Sequence, residues 1–379
     1  MPDSTKNRLR HARQFIDDFA ERTGLTGKGG DPQRRYLWTD AFAVQTCFGL
    51  ARALDEKAYH ELSLKLIDQV HETLGRFHPK DEREGWISGL PEEEARKHPT
   101  AGGLRIGKEL TERKEEQAMD AQLEWERDGQ YFHYLTRWCN ALLQAAEETG
   151  KDQYAHWAAE LMLATKNFIY ESGGEKRMYW KMSTDLSRPL VPSMGAHDPL
   201  EGLVCTLSAL YAVPSKEEGL RPLMKAFRTM CAGQDWATTD ALGIGGLLLN
   251  TLRTALLESE GATLPEPADP EKLWADSRRS LQIFAPQHNK DLPAERRLPF
   301  RECGLTLGIR ALYGIEQSPK GTNLNLEALK PLLSLTTEIE DFWLESKNRS
   351  ASTWTGHRDI NAVTLAASLV AEKEPRVFG

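Results

Sequence analysis

Histidine and carboxylates crowd together twice in this sequence, in Gly195-Ala196-His197-Asp198-Pro199-Leu200-Glu201-Gly202 and again in Gly356-His357-Arg358-Asp359. Imidazole takes up or releases a proton near neutral pH, and carboxyl groups do so when their surroundings move their pKa, so either grouping can supply an acid and a base. Related mixtures recur elsewhere: Trp38 with Asp40, Asp128 with Tyr131 and His133, Trp236 with Asp240, Arg301 beside Glu302, and Trp354 just ahead of the second histidine. Arg301 and Arg358 can pair with carboxylates or hold an anionic group by bidentate bonds. Trp38, Trp86, Tyr131, Tyr179, Trp180, Trp236 and Trp354 fall in loops or first turns. There an aromatic face can pack in the core or stack on a sugar ring.

Capping is the competing explanation for each acid. Asp at a helix start accepts backbone N–H bonds and suits the positive end of the helix dipole. Asp198 before Pro199 reads as an N-cap, with Glu201 placed for a capping-box contact. Capping does not account for the His, Arg and Trp residues that accompany these acids.

The elements that must position them are helical. Apolar residues recur at three and four, in Ala- and Leu-rich runs punctuated by Gly and Pro. The expected helices cover about 7–22, 38–54, 57–77, 129–149, 152–171, 198–213, 216–232, 239–259, 271–284, 300–315, 325–346 and 358–373. Every second one, beginning with 38–54, is apolar on most faces and must be buried all round, whereas 57–77 and 152–171 carry one apolar stripe among charged residues. Strict alternation of inner and outer helices predicts an all-α fold, an (α/α)6 toroid of six hairpins forming one domain over residues 1–379. The alternative is an open α-solenoid, but repeats of that kind keep a fixed period and these do not. In a ring the inner helices run parallel, so the mixed clusters at their starts meet at one mouth. The long loops 78–128 and 173–197 precede inner helices and are expected over that same end. Alternation at Met178, Trp180 and Met182 is compatible with a short hairpin inside the second loop.

Hydrophobic residues make up 40% of the 379 and charged residues 27%, enough for a large core. A net charge of −8 argues against a general nucleic-acid binder. No apolar leader or membrane span is visible, so a cytoplasmic protein without membrane association is expected. The cysteines, Cys47, Cys139, Cys205, Cys231 and Cys303, read as core residues, and the Asn348-Arg349-Ser350 sequon is uninformative without a secretion signal. The H-E-x-x-H, G-x-S-x-G, Walker and EF-hand patterns are absent, and no metal ligand set stands out. Gly243-Ile244-Gly245-Gly246 follows no strand and reads as close helix packing.

Twelve alternating helices with Asp, Glu, His and Trp at the inner starts resemble the six-hairpin glycosidase-like superfamily over nearly the whole chain. That resemblance implies a carbohydrate substrate and no cofactor. In its glycosidase branch paired carboxylates do the chemistry. Among Asp40, Asp128, Asp198, Glu201, Asp240 and Glu302, the preferred pairing is Asp198 or Glu201 with Asp128 across the mouth. Trp38, Asp40, Tyr131, His133, Trp180, Trp236, Asp240, Arg301, Glu302, Trp354, Arg358 and Asp359 would surround the sugar. The alternative is the N-acylglucosamine 2-epimerase branch, whose histidine positions Gly195, His197 and Glu201, with His357, resemble. Its pattern places Glu three residues after His, whereas this chain has four. A glycan-binding or scaffold protein without turnover is the third reading. Terpenoid cyclases share the toroid, but their aspartate-rich motifs are missing.

Overall fold

A computed structural model describes residues 3–27, 29–31, 34–318 and 321–379. Twelve helices build its body: α1 (Asp3–Arg22), α2 (Leu37–Leu54), α3 (Lys57–Leu74), α4 (Phe132–Thr149), α5 (Asp152–Ala164), α6 (Asp198–Ala212), α7 (Glu217–Cys231), α8 (Ala241–Ser259), α9 (Pro270–Phe284), α10 (Pro299–Glu316), α11 (Leu333–Leu344) and α12 (Arg358–Ala371).

Even-numbered helices are the inner ones. α2 is buried without a break from Leu37 to Leu50, and small residues let it serve as a packing surface on every side. α3 buries Tyr59, Ser63, Leu66, Ile67, Val70, His71 and Leu74, the three-and-four spacing of an outer helix with one covered stripe. Closure decides between ring and solenoid: α2 packs on α4, α4 on α6, α6 on α8, α8 on α10, α10 on α12, and α12 returns to α2. The chain is therefore an (α/α)6 toroid, the architecture of six-hairpin glycosidase-like proteins.

Glycines set the closest approach in the ring. A Cβ on Gly245 of α8 would overlap the Gly304 carbonyl of α10, and one on Gly308 would meet the Gly245 carbonyl. At the far end of the ring, a short 3-10 turn, Pro375–Phe378, fills the space between inner helices. There Gln45 Nε2 donates to the Val377 carbonyl at 2.8 Å and Arg253 Nη2 to that of Phe378 at 3.1 Å.

Two expected boundaries differ. The helix expected over 152–171 ends at Ala164 and tightens into a 3-10 turn, Thr165–Phe168. Ile169–Ser172 and Glu175–Met178 then pair as a hairpin, because Gly173 and Gly174, with φ of 61° and 80°, supply the left-handed turn that right-twisted strands need. The helix expected over 325–346 is 3-10 over Glu327–Leu332 and α-helical only from Leu333, since Pro331 lacks the N–H an α-helix would use. The alternation around Trp180 belongs to a three-stranded sheet in which Lys181–Met182 lies between Gln130–Tyr131 and Pro189–Val191. All five cysteines are free and buried. Among the described residues no helix is long and apolar enough to cross a membrane.

Candidate active site

The small sheet places an aromatic cluster at the mouth. The backbone N–H of Trp180 donates to the Val191 carbonyl at 3.1 Å, and its own carbonyl accepts from Phe132 N at 3.3 Å, which sets the indole beside the start of α4. There Trp180 stacks on His133, centroids 5.8 Å apart and planes 20° from parallel, and donates its indole N–H to His133 Nδ1 at 3.1 Å. That bond makes Nδ1 the acceptor and leaves the proton of neutral His133 on Nε2. Burial pushes the His133 pKa down to about 4, so the ring is uncharged at neutral pH. Tyr131, Trp38 and Tyr134 pack around the same imidazole at 5.4, 5.8 and 4.8 Å. Trp125, 51% exposed, stands against Trp180 at the rim.

Beneath the aromatics lie the acids of α6. Glu201 does not cap its own helix; it pairs with Arg137 of α4 and accepts from Thr136 Oγ1 at 3.0 Å. The Arg137 guanidinium lies 5.4 Å from the Trp38 ring centroid, so the acids and the aromatic cluster form one assembly. Asp198 likewise does not act as the expected N-cap. His197 occupies that position, and the Asp198 carboxyl accepts from Gly195 N at 2.8 Å. Burial, reinforced by the neighbouring Glu201 charge, pushes Asp198 up to about 7. It is a carboxylic acid that keeps its proton close to neutral pH. His197 is tied through Nε2 to the Trp236 carbonyl at 2.9 Å, with the Trp236 ring edge-on to it at 5.9 Å.

The remaining candidates are spread around the ring. Asp128 is buried, ion-paired with Arg105, and accepts from Gly107 N at 3.1 Å and Gly129 N at 3.0 Å, joining the long first loop to the mouth. Asp240 caps α8 through Gly243 N at 2.8 Å and pairs with Arg301. Glu302 turns away to Arg297, 2.9 Å, and to the Trp343 indole N–H, 2.7 Å. Trp354 is buried against Trp343 and Phe15, outside the aromatic cluster. Asp40 accepts from Tyr36 N at 2.9 Å with Arg35 at 3.6 Å, and burial pushes it up to about 6. Asp359 pairs with Arg22 at 2.5 Å and Arg34 at 3.2 Å. His357, Arg358, Asp359 and Asp40 line a cavity of about 790 Å³ beside the mouth, and Tyr36 connects it to the cluster through a 2.6 Å bond between its hydroxyl and that of Tyr134. Among the described residues no group of three or more His, Cys, Asp or Glu side chains is arranged to hold a metal ion.

Sequence reasoning passed over Tyr36, Tyr134, Thr136 and Arg137. Arg137 left a signal, a lone charge inside the otherwise buried body of α4, and such a charge needs a partner.

No protein-family model matches the chain, and no curated protein matches it. Among solved structures, cellobiose 2-epimerase from Spirochaeta thermophila DSM 6192 aligns over 90% of this chain and 86% of that one, with 15% identity and a TM-score of 0.44. The fold assignment rests on the closure of the ring, not on this likeness.

Proposed function

We propose that the chain is a carbohydrate-active enzyme that moves a proton on a free sugar at the carbon next to its carbonyl, a 2-epimerase or isomerase. One observation carries this reading. Glu201, Asp128, Asp240 and Asp359 are each engaged by a guanidinium, whereas among the described residues the bonds made by His133 and His197 leave their imidazoles without a carboxylate partner. Glycoside hydrolysis needs two carboxyl groups free to face a scissile bond. Epimerisation needs an acid and a base on opposite faces of one carbon.

His197 and His357 precede α6 and α12, the third and sixth inner helices, which lie across the ring from each other. In this reading one imidazole takes the carbon-bound proton, giving an enediolate, and the other returns a proton to the opposite face. The His133 Nε2–H and protonated Asp198 supply hydrogen bonds to the oxygen on which charge develops. The aromatic cluster holds the pyranose ring by stacking.

Glycoside hydrolysis is the second reading, favoured by Asp198, whose proton is retained to about pH 7 beside an Arg137-paired Glu201. Proton NMR in D2O separates the two. With free aldoses, loss of the carbon-2 proton signal and growth of a second sugar support epimerisation. New reducing-end signals from oligosaccharides with no exchange at carbon 2 support hydrolysis and overturn the first reading.

A further inference from the structure

We infer that the substrate carries an anionic group, a phosphate or a carboxylate, seated in the basic cavity beside the aromatic cluster; this rests on the sugar reading above. The chain as a whole has a net charge of −8, yet among the described residues the cavity is lined by seven lysines and arginines against four carboxylates. Much of that positive charge has no internal use. Arg22 and Arg34 share Asp359, and Arg105 is taken by Asp128. Lys80, Lys108 and Arg358 make no ion pair among the described residues, and the Lys108 ammonium sits 5.4 Å from the centre of the Tyr36 ring. Arg35 adds an independent sign: it lines the cavity, its side chain is 0% exposed, and among the described residues its Nη1 has no hydrogen-bond acceptor, with Asp40 only approaching to 3.6 Å. A buried guanidinium N–H left unpaired is costly unless a ligand oxygen meets it.

The position fits a substrate that bridges two regions. Tyr36 lines the cavity and is bonded to Tyr134 of the aromatic cluster, and His357 lines the same cavity. A sugar ring stacked at the aromatics can therefore extend its charged substituent past Tyr36 into the cavity that His357 also lines. About 790 Å³ is room for a hexose bearing such a group.

Titration calorimetry on the full chain tests this directly, with glucose and mannose, their 6-phosphates, glucuronate and inorganic phosphate as the probes. The expected result is that a charged sugar binds, that inorganic phosphate competes with it, and that added salt weakens it. The 6-phosphate and glucuronate arms show which anion is preferred. Arg358→Ala and Lys108→Ala should each weaken binding roughly ten- to hundredfold, as loss of a charge-assisted bond does. Lys225→Ala, on the exposed face of α7, should leave affinity unchanged, which separates a local seat from general charge. Melting curves verify that each variant is folded. Neutral and charged sugars binding equally, indifferent to Arg358 and Lys108, would overturn the anion seat while leaving the sugar reading intact. Inorganic phosphate binding in an Arg358-dependent way with no sugar bound would keep the seat and count against the sugar reading. No binding by any probe would overturn the inference.

Discussion

The environment of Asp198 changes its chemistry. Its folded pKa of about 7 lies above the ordinary carboxyl value of 3.8 because burial and Glu201 disfavour its charge. Between those values the folded chain holds a proton that the unfolded chain has lost, so this group favours folding below pH 4 and loses that advantage as pH rises through 7. Asp198→Asn keeps an oxygen for Gly195 N but cannot ionise. Its melting temperature relative to the native chain should therefore climb between pH 4 and pH 8, while turnover falls by about two orders of magnitude if the acid donates to the reacting oxygen. Paired melts and rates at the two pH values check both parts; a flat difference in melting temperature would show that Asp198 ionises normally. Trp180 makes a second prediction. Trp180→Phe removes the N–H that His133 Nδ1 accepts, frees the imidazole tautomer, and should raise KM about tenfold with stability changed by about 1 kcal/mol. Nitrogen NMR of His133 would register the tautomer change.

At the level of elements, the two long loops are fastened to the ring by buried polar groups instead of by regular structure. Gln130 accepts from Leu104 N at 2.9 Å through Oε1 and donates through Nε2 to the Gly102 and Thr184 carbonyls at 2.8 and 2.7 Å, so one side chain ties both loops to the start of α4. Lys181 is fully buried and donates to the Glu124 and Arg127 carbonyls at 2.7 and 2.8 Å, fixing the chain that carries Trp125. Gly103 has φ of 76°, and a Cβ there would overlap the Gln130 amide. Gly103→Ala should cost about 2 kcal/mol through backbone strain and loss of this tie. Asp128→Asn leaves the Arg105 charge buried without its counter-ion and should cost about 3 kcal/mol. Urea denaturation measures both. If Asp128 acts only as this fastening, the folded fraction of Asp128→Asn retains near-native turnover; a loss of turnover beyond the unfolded fraction would return Asp128 to the chemistry.

For the whole molecule, the ring closes only if neighbouring inner helices approach closely, and the glycine contact between α8 and α10 is the tightest point of that kind. Gly245→Val would drive a branched side chain into the Gly304 backbone, and the expected result is a loss of several kcal/mol with a lowered urea midpoint. Retained stability would mean that the ring can open at this seam. Because the mouth is assembled from the starts of separate inner helices, the same substitution should also weaken binding at the proposed sugar site, even though Trp38 and His133 lie on the far side.

The sequence by itself determined the ring. Helices apolar on most faces alternate with helices bearing one stripe, and burying six of the first kind at once leaves few arrangements, so the pattern carried the architecture without any long-range information. It also marked Asp198, Glu201 and His133 by placing polar residues where a buried helix has no need of them, and Trp180 by its place in the long second loop. Tertiary structure decided what those residues do. Spacing along α6 pointed Glu201 to its own helix terminus, but the partner that holds it, Arg137, belongs to α4 and becomes a neighbour only when the ring forms. The same holds for Asp128, an open acid in the sequence and a buried partner of Arg105 in the fold, and for Trp354, which packs on Trp343. A side chain's protonation state depends on its burial and on the charges around it, and both are set by residues distant in the chain.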